Sequence, residues 1–410
     1  MLSSRYTLFI RVLLVTGLSL NAFMAWTDRG LVRKGYPDFT IFYSAGTMVQ
    51  SGMAASLYDE RAEFQTQRQF APEVSTRHGA LPYNHPPFEA LLFVPLSFFP
   101  YLPAYLAWDA VNLGLLVLAL LLLGRHVPLL QTKPLWVWAL SAAALFPVFI
   151  CLLQGQDMIL FFFLLAMAFG SLKDGADCWA GCWLGAGLFR PHLVLPLAII
   201  LLFSRRRKAV FGAVCSAVVM AAISIAVVGW RGFLDYPGYV WRLEEVMGRG
   251  AIVPDNMPNL RGFLAIFFRD GHSTALALGA TGSICLLILA IWIFRSAEHA
   301  GNLELGFSAA ILVTILISYH AFIYDLGLLL LPALLLLGEE MRRKQWELIV
   351  PVVVLFFTPL LMFLWLRLSH LNLLTPVLFL WLWGVARESS RLKGSGRESY
   401  SRVVSPAPLT

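Results

Sequence analysis

Charge is scarce in this chain. Of its 410 residues only 13% are Asp, Glu, Lys or Arg, while 59% are hydrophobic. A soluble domain carries roughly a quarter charged residues, so a soluble fold is excluded. Segments that alternate apolar with polar residues are missing as well, which excludes a transmembrane β-barrel. Cysteine is sparse and odd in number: Cys151, Cys178, Cys182, Cys215 and Cys285. All five lie in or beside apolar runs, and no other Cys or His stands at metal-site spacing from Cys178 and Cys182. They read as small buried hydrophobes with no disulfide framework. No internal repeat and no low-complexity segment occurs. An Asp-x-Asp motif is also absent, which argues against a cytosolic nucleotide-sugar site.

Long apolar runs are what the sequence has instead. They recur along the whole chain at about 17–25 residues, the length that crosses a bilayer as a helix. The mean hydropathy is +0.72. The fold class is therefore an all-α polytopic membrane protein, with about eleven crossings if the break at Arg190 is a kink and about twelve if it is a turn. A net charge of +7 would raise nucleic acid as a partner in a soluble protein. Here no nucleic acid is expected, because Lys and Arg gather in short loops and set topology. That rule places the loops 205–208 and 342–344 and the basic tail 387–402 in the cytoplasm. The first apolar stretch, about 8–26, is interrupted by Arg11 and has no clean small-x-small cleavage site, so it reads as an uncleaved span.

Two long polar loops follow from this topology, 27–87 and 229–271, both external. Within the first, Phe39, Phe42, Tyr43, Gly46 and Val49 share one face at helical spacing, which suits a helix lying in the membrane interface. Residues 59–69 form a second helical pattern. The stretch 88–100 is apolar but too short to span, and Pro95 and Pro100 break it, so it reads as re-entrant or interfacial. Gln154-Gly155-Gln156-Asp157 is a tight external turn. The membrane domain covers 1–386, and the Ser-, Arg-, Pro- and Gly-rich segment 387–410 is expected to be a disordered cytoplasmic tail.

Ionisable groups at membrane depth are costly and are functional candidates by default. They are Asp38, His85, Asp109, Asp157, Arg190, His192, His320, Asp325, Arg367 and His370. Asp38 follows Pro37 where the chain first leaves the membrane. It reads either as a helix N-cap or as a general base at the membrane surface, and a helix N-terminus favours its ionised form. Arg190, beside Pro191 at a helix break, needs an anion: Asp157, another carboxylate, or a phosphate, whose geometry Arg matches well. Asp325 is expected to pair with His320 or with an Arg. Tyr83 and His85 belong to a rigid aromatic lead into the segment 88–100.

Taken in order, these stretches resemble glycosyltransferase family 87. They are Asp38-Phe39-x-x-Phe42-Tyr43-x-Ala45-Gly46, Leu57-Tyr58-Asp59, Tyr83-x-His85-Pro86-Pro87-Phe88, Gly155-Gln156, Gly185-x-Gly187-Leu188 with Arg190-Pro191, Asn259-Leu260-x-Gly262 and His320-x-x-x-Tyr324-Asp325. The family usually has Lys-Pro in place of Arg190-Pro191 and often Tyr-Pro-Pro in place of His85-Pro86-Pro87. The resemblance implies a GT-C fold in the plasma (inner) membrane, with the active site on the extracytoplasmic side. It implies transfer of a hexose, such as mannose, from a polyprenyl-phosphate sugar to a lipid or glycan acceptor. Asp38 would be the base and His320 a second catalytic residue. Arg190, His85, Tyr83, Gln156, Asn259 and Tyr324 would contact the substrate or the donor phosphate. No cofactor or metal site is expected, although the sequence leaves a divalent metal open. The competing readings are a secondary transporter, disfavoured because the polar candidates gather on the external side and no inverted repeat is visible, and a lipid-linked-sugar flippase.

Overall fold

The computed structural model describes residues 4–247, 256–268, 272–343, 346–364 and 373–404. Helices account for the regular structure throughout, and no strand occurs among the described residues. Lys344, Arg367 and His370, and parts of the loop 229–271, lie outside the described residues.

Among the described residues fewer helices than the expected eleven or twelve are long enough to cross a membrane alone. Four are long and apolar enough to cross a membrane alone: Leu8–Arg33, Tyr101–Leu123, Arg207–Leu243 and Ser273–His299. A bent pair, Leu135–Ala144 with Phe146–Gln154, adds a fifth candidate, its halves meeting at 79°. Shorter apolar helices of 10–17 residues complete the bundle, among them Met158–Lys173, Pro191–Phe203 and Leu303–Ile317. Every residue from Leu303 to Leu316 except Glu304 is buried, so this helix is enclosed by its neighbours rather than by lipid.

The break at Arg190 is a turn between two helices, Asp177–Ala186 and Pro191–Phe203. Pro191 opens the second helix at its first position, where the missing N–H costs nothing. The helix Asp177–Ala186 packs closely on Arg207–Met247 through small residues. A Cβ on Gly181 would fall 1.7 Å from the Ala209 carbonyl oxygen, and one on Gly212 2.0 Å from that of Cys178. Small residues are how membrane helices bring their backbones together.

Ion pairs gather at one end of the bundle. Lys173 meets Glu304 at 2.7 Å, and Arg206 meets both Asp177 and Glu298 at 2.7 Å. These groups sit beside the basic loop 205–208. The ends that meet Asp38 and Arg190 are the opposite ends of the same helices.

Three expectations change here. The helix Phe39–Gln50 does not lie free in the interface. Phe39, Phe42, Ala45, Gly46 and Met48 are buried, and Phe39, Phe42, Tyr43 and Ala45 form a second, aromatic core with Phe93, Tyr101, Tyr105 and Trp108. The segment 88–100, folded as three short helical pieces around Pro95, covers the side that membrane was expected to cover. Of the cysteines only Cys151 is buried; Cys178, Cys215 and Cys285 are exposed on apolar helices and Cys182 is half-buried, all of them free. The last helix runs Leu374–Val404, with Trp381, Leu382 and Val385 buried in its apolar half, and 405–410 lie outside the described residues.

Candidate active site

The site is organised by the turn Gln154-Gly155-Gln156-Asp157. Helix Phe146–Gln154 ends on Gly155 in the left-handed conformation, φ 60° and ψ 38°, the usual glycine stop. A Cβ here would fall 2.7 Å from Phe39 Cβ, so only glycine lets the helix at 39–50 approach. The turn is tied to the Tyr101–Leu123 helix: Trp108 Nε1 donates to the Gly155 carbonyl at 3.0 Å and Asn112 Nδ2 to the Gln156 carbonyl at 3.2 Å.

Its side chains then reach in two directions. The Asp38 amide donates to Gln154 Oε1 at 3.1 Å. Gln156 Nε2 donates to Asp38 Oδ2 at 2.6 Å, while Gln156 Oε1 accepts from Arg190. Arg190 Nε donates to Asp157 Oδ1 and Oδ2 at 2.9 and 3.1 Å, and a terminal guanidinium nitrogen also reaches Oδ1. A guanidinium only donates. It therefore fixes the Gln156 oxygen toward itself and the Gln156 amide nitrogen toward Asp38, which must present an acceptor oxygen.

Asp38 stands at the N-cap position of the helix Phe39–Gln50, but its side chain does not cap it. Its backbone is already helical, φ −60° and ψ −18°, and its side chain makes no cap hydrogen bond. The carboxyl points instead at Gln156, 118 residues away in sequence. The residue is half-buried. The atoms packed around its carboxyl raise its pKa by desolvation, while the Gln156 hydrogen bond and the charges of Arg190 and His320 pull it back down.

Arg190 is buried and faces a second carboxylate, Asp325, at 3.8 Å, with the Tyr324 ring 5.7 Å from its guanidinium carbon. Of the partners considered for Asp325, it is Arg190 that it meets; its Oδ2 also accepts from the Phe322 amide at 2.6 Å. The His320 ring packs edge-on against Phe322 at 4.6 Å and lies 6.3 Å from His192. Asp38, Gln156, Asp157, Arg190, His320, Tyr324 and Asp325 thus converge from four separate segments.

Other candidates take different places. Asn259 is fully buried, caps helix Leu260–Phe267 by accepting from the Gly262 amide at 2.8 Å, and donates to the Ser318 carbonyl at 2.8 Å. Its amide holds the segment that carries His320. Tyr83 is buried with its hydroxyl donating to the Pro86 carbonyl at 3.0 Å, and its ring stacks on His85 at 5.7 Å. His85 Nδ1 lies 2.7 Å from Glu89 Oε2 and 3.9 Å from Asp157 Oδ2. Burial, with the charge of Arg190 adding to it, lowers the His85 pKa to about 3, so the ring is neutral. Asp109 stands apart on the Tyr101–Leu123 helix. Glu89 escaped the sequence reading, although it is the single charged residue in 88–100 and lies one turn from His85.

A multi-pass helical protein whose loops converge on a half-buried aspartate, oriented by an amide and backed by a buried guanidinium, has the makings of a membrane-embedded group-transfer enzyme. The comparisons with known proteins give that class its identity: the chain belongs to glycosyltransferase family 87, whose family model matches residues 83–322. It is 26% identical over 302 residues, 68% of each chain, to the polyprenol-phosphate-mannose-dependent alpha-(1-2)-phosphatidylinositol mannoside mannosyltransferase of Mycobacterium tuberculosis. No solved structure matches. The protein is thus a membrane glycosyltransferase. Asp38 lies before the matched segment, while Gln156, Asp157, Arg190 and His320 lie within it.

Proposed function

We propose that the protein transfers a hexose, mannose by analogy with its relative, from a polyprenyl-phosphate sugar to a lipid or glycan acceptor, with inversion and with Asp38 as the general base. The observation that carries this reading is the relay Arg190–Gln156–Asp38, which holds an acceptor oxygen of the half-buried Asp38 instead of spending it on a helix cap. In the reaction the acceptor hydroxyl attacks the anomeric carbon and its proton passes to Asp38. The bond from that carbon to the phosphate oxygen breaks, and the electron pair leaves with the polyprenyl phosphate. A phosphate leaves without being protonated, so the paired carboxylates of a glycosidase are not required. Positive charge stabilises the departing group. Arg190 offers the guanidinium edge that faces Asp325 and Tyr324, and His320 sits beside the same space.

The clustering of ion pairs and the basic loop 205–208 at the opposite end supports an inner-membrane orientation with Asp38 on the extracytoplasmic side. The test is transfer by purified protein from radiolabelled polyprenyl-phosphate mannose, with Asp38→Asn compared with wild type. Asn preserves an acceptor oxygen for Gln156 but cannot take a proton. The expected loss is about 10²–10⁴-fold in rate at unchanged thermal stability. Near-wild-type turnover by Asp38→Asn removes the base assignment. Failure of the wild-type protein to use any polyprenyl-phosphate sugar removes the donor assignment.

A further inference from the structure

Beside the relay lies a separate convergence of polar atoms. His85, Glu89 and Asp157 are all buried, and their ligand atoms lie within 4.8 Å of one another. The Glu89 side chain is fully buried and that of His85 is 9% exposed. His85 Nδ1 and Glu89 Oε2 are 2.7 Å apart, yet neither His85 Nδ1 nor either Glu89 oxygen is in a hydrogen bond of acceptable geometry. Burying such groups without partners costs several kcal/mol, of the order of 2–7 for each polar group and more for a charge. Two such unpartnered side chains, His85 and Glu89, converge with the Asp157 carboxylate, which Arg190 already pairs, and together they make the arrangement of a ligand set.

The charge balance of the surroundings favours a cation there. Asp38, Glu89, Asp157 and Asp325 bring four carboxyl groups together. Among the described residues Arg190 is the one Lys or Arg paired with any of them. Asp157 can serve both neighbours, because a carboxylate has about four lone-pair sites. Arg190 takes Oδ1 most closely, while Oδ2 faces His85.

We propose that His85 Nδ1, Glu89 and Asp157 Oδ2 bind a divalent transition-metal ion of the Mn²⁺ or Zn²⁺ class. One imidazole with two carboxylates suits these ions better than Mg²⁺ or Ca²⁺, which favour all-oxygen sets. Three protein ligands leave a coordination position for a fourth group. Arg190 then acts on Asp157 from the outside, as the groups that orient a metal's ligands commonly do. The binding does not depend on the proposed reaction. Its purpose does rest on that reading: the ion supplies a second positive charge for the departing phosphate, since the charge of Arg190 is already balanced by Asp157 and Asp325.

The experiment is metal binding by the full chain in detergent, after EDTA treatment and removal of the chelator. Mn²⁺ is added and free Mn²⁺ is followed by its electron paramagnetic resonance signal; Zn²⁺ uptake is measured by elemental analysis after gel filtration. One ion per chain is expected, with Glu89→Gln weakening binding at least 10-fold, the lower bound seen even for indirect ligand partners. Bound Mn²⁺ should show a nitrogen coupling from one imidazole in the wild-type protein, a readout that needs no variant to fold. His85→Ala should abolish the coupling. Absence of uptake of both metals by folded protein overturns the proposal, as does unchanged affinity in Glu89→Gln or bound Mn²⁺ without nitrogen coupling. No result of the transfer assay bears on these outcomes.

Discussion

Gln156→Leu isolates the relay. The substitution keeps the volume of the side chain but removes both polar atoms. Asp38 loses the 2.6 Å donor that stabilises its ionised form. Arg190 keeps its bidentate contact with Asp157, so the buried ion pair survives. A hydrogen bond to a charged group contributes about 1.5–3 kcal/mol. At 1.4 kcal/mol per decade this makes ionisation of Asp38 roughly 10- to 150-fold less favourable. The desolvation that already raises its pKa acts in the same direction. The assay is kcat/KM against pH for sugar transfer, with thermal unfolding followed on the same samples. In the wild type the acid limb should lie above the ordinary aspartate range. In Gln156→Leu it should move further toward alkaline pH, so that activity is depressed at low pH and returns toward the wild-type plateau as pH rises. A contact between Gln156 and the donor predicts something else: a raised KM for the donor at every pH and an unmoved limb. That result would refute the orienting role.

Arg190→Ala should destabilise the protein by about 3–5 kcal/mol, the usual cost of breaking a buried pair, because Asp157 is left buried and charged; Arg190→Lys should recover part of it. Thermal unfolding checks this, and a wild-type unfolding temperature for Arg190→Ala would show that the pair carries no structural load. Glu63 is buried and accepts from the Tyr83 amide at 3.0 Å, and burial pushes its pKa up from 4.5 to about 8. The folded state therefore holds its proton more tightly than the unfolded state, and stability should fall as pH rises from about 4.5 through about 8. Glu63→Gln should flatten that decline, and an unaltered stability profile would rule out Glu63 as its source. For topology, Cys at exposed Arg61 should react with an impermeant thiol reagent in whole cells, and Cys at exposed Lys133 only after permeabilisation; the reverse pattern would invert the proposed orientation.

Much of the architecture was legible because apolar length and basic loops are local properties. The helical pattern at 59–69 was legible and forms a helix over Glu60–Arg68, which the Asp59 side chain caps by accepting from the Ala62 amide at 2.9 Å. The same local logic failed for Asp38, whose partner is 118 residues distant and whose backbone had already turned helical. It failed for the helix at 39–50 too, since its apolar face is covered by aromatic residues from 93 to 108, and no periodicity reveals whether a covering surface is protein or lipid. Asn259 was read for substrate although Gly262 three residues on is the backbone of an ordinary cap. Arg190 was legible as a group in need of an anion, and the fold supplies Asp157 and Asp325 together. Glu89 was visible as a lone charge in an apolar stretch, but its meaning depends on Asp157 arriving from another part of the chain.

The turn at 154–157 also sets a rule about chain length. Four consecutive residues hold the Asp38 backbone, approach Phe39, orient the Asp38 carboxyl and pair with Arg190. Each substitution there disturbs one of those tasks. Inserting or deleting a single residue would rotate every later side chain by about 100° about the helix that follows, the angle implied by 3.6 residues per turn, and would disconnect several of them together. Libraries built on this scaffold should therefore hold the spacing from Gln154 to Asp157 constant, since a substitution there loses one contact and a length change loses several. A scan of single-residue insertions through residues 150–160 should find a sharp minimum of transfer activity at this turn.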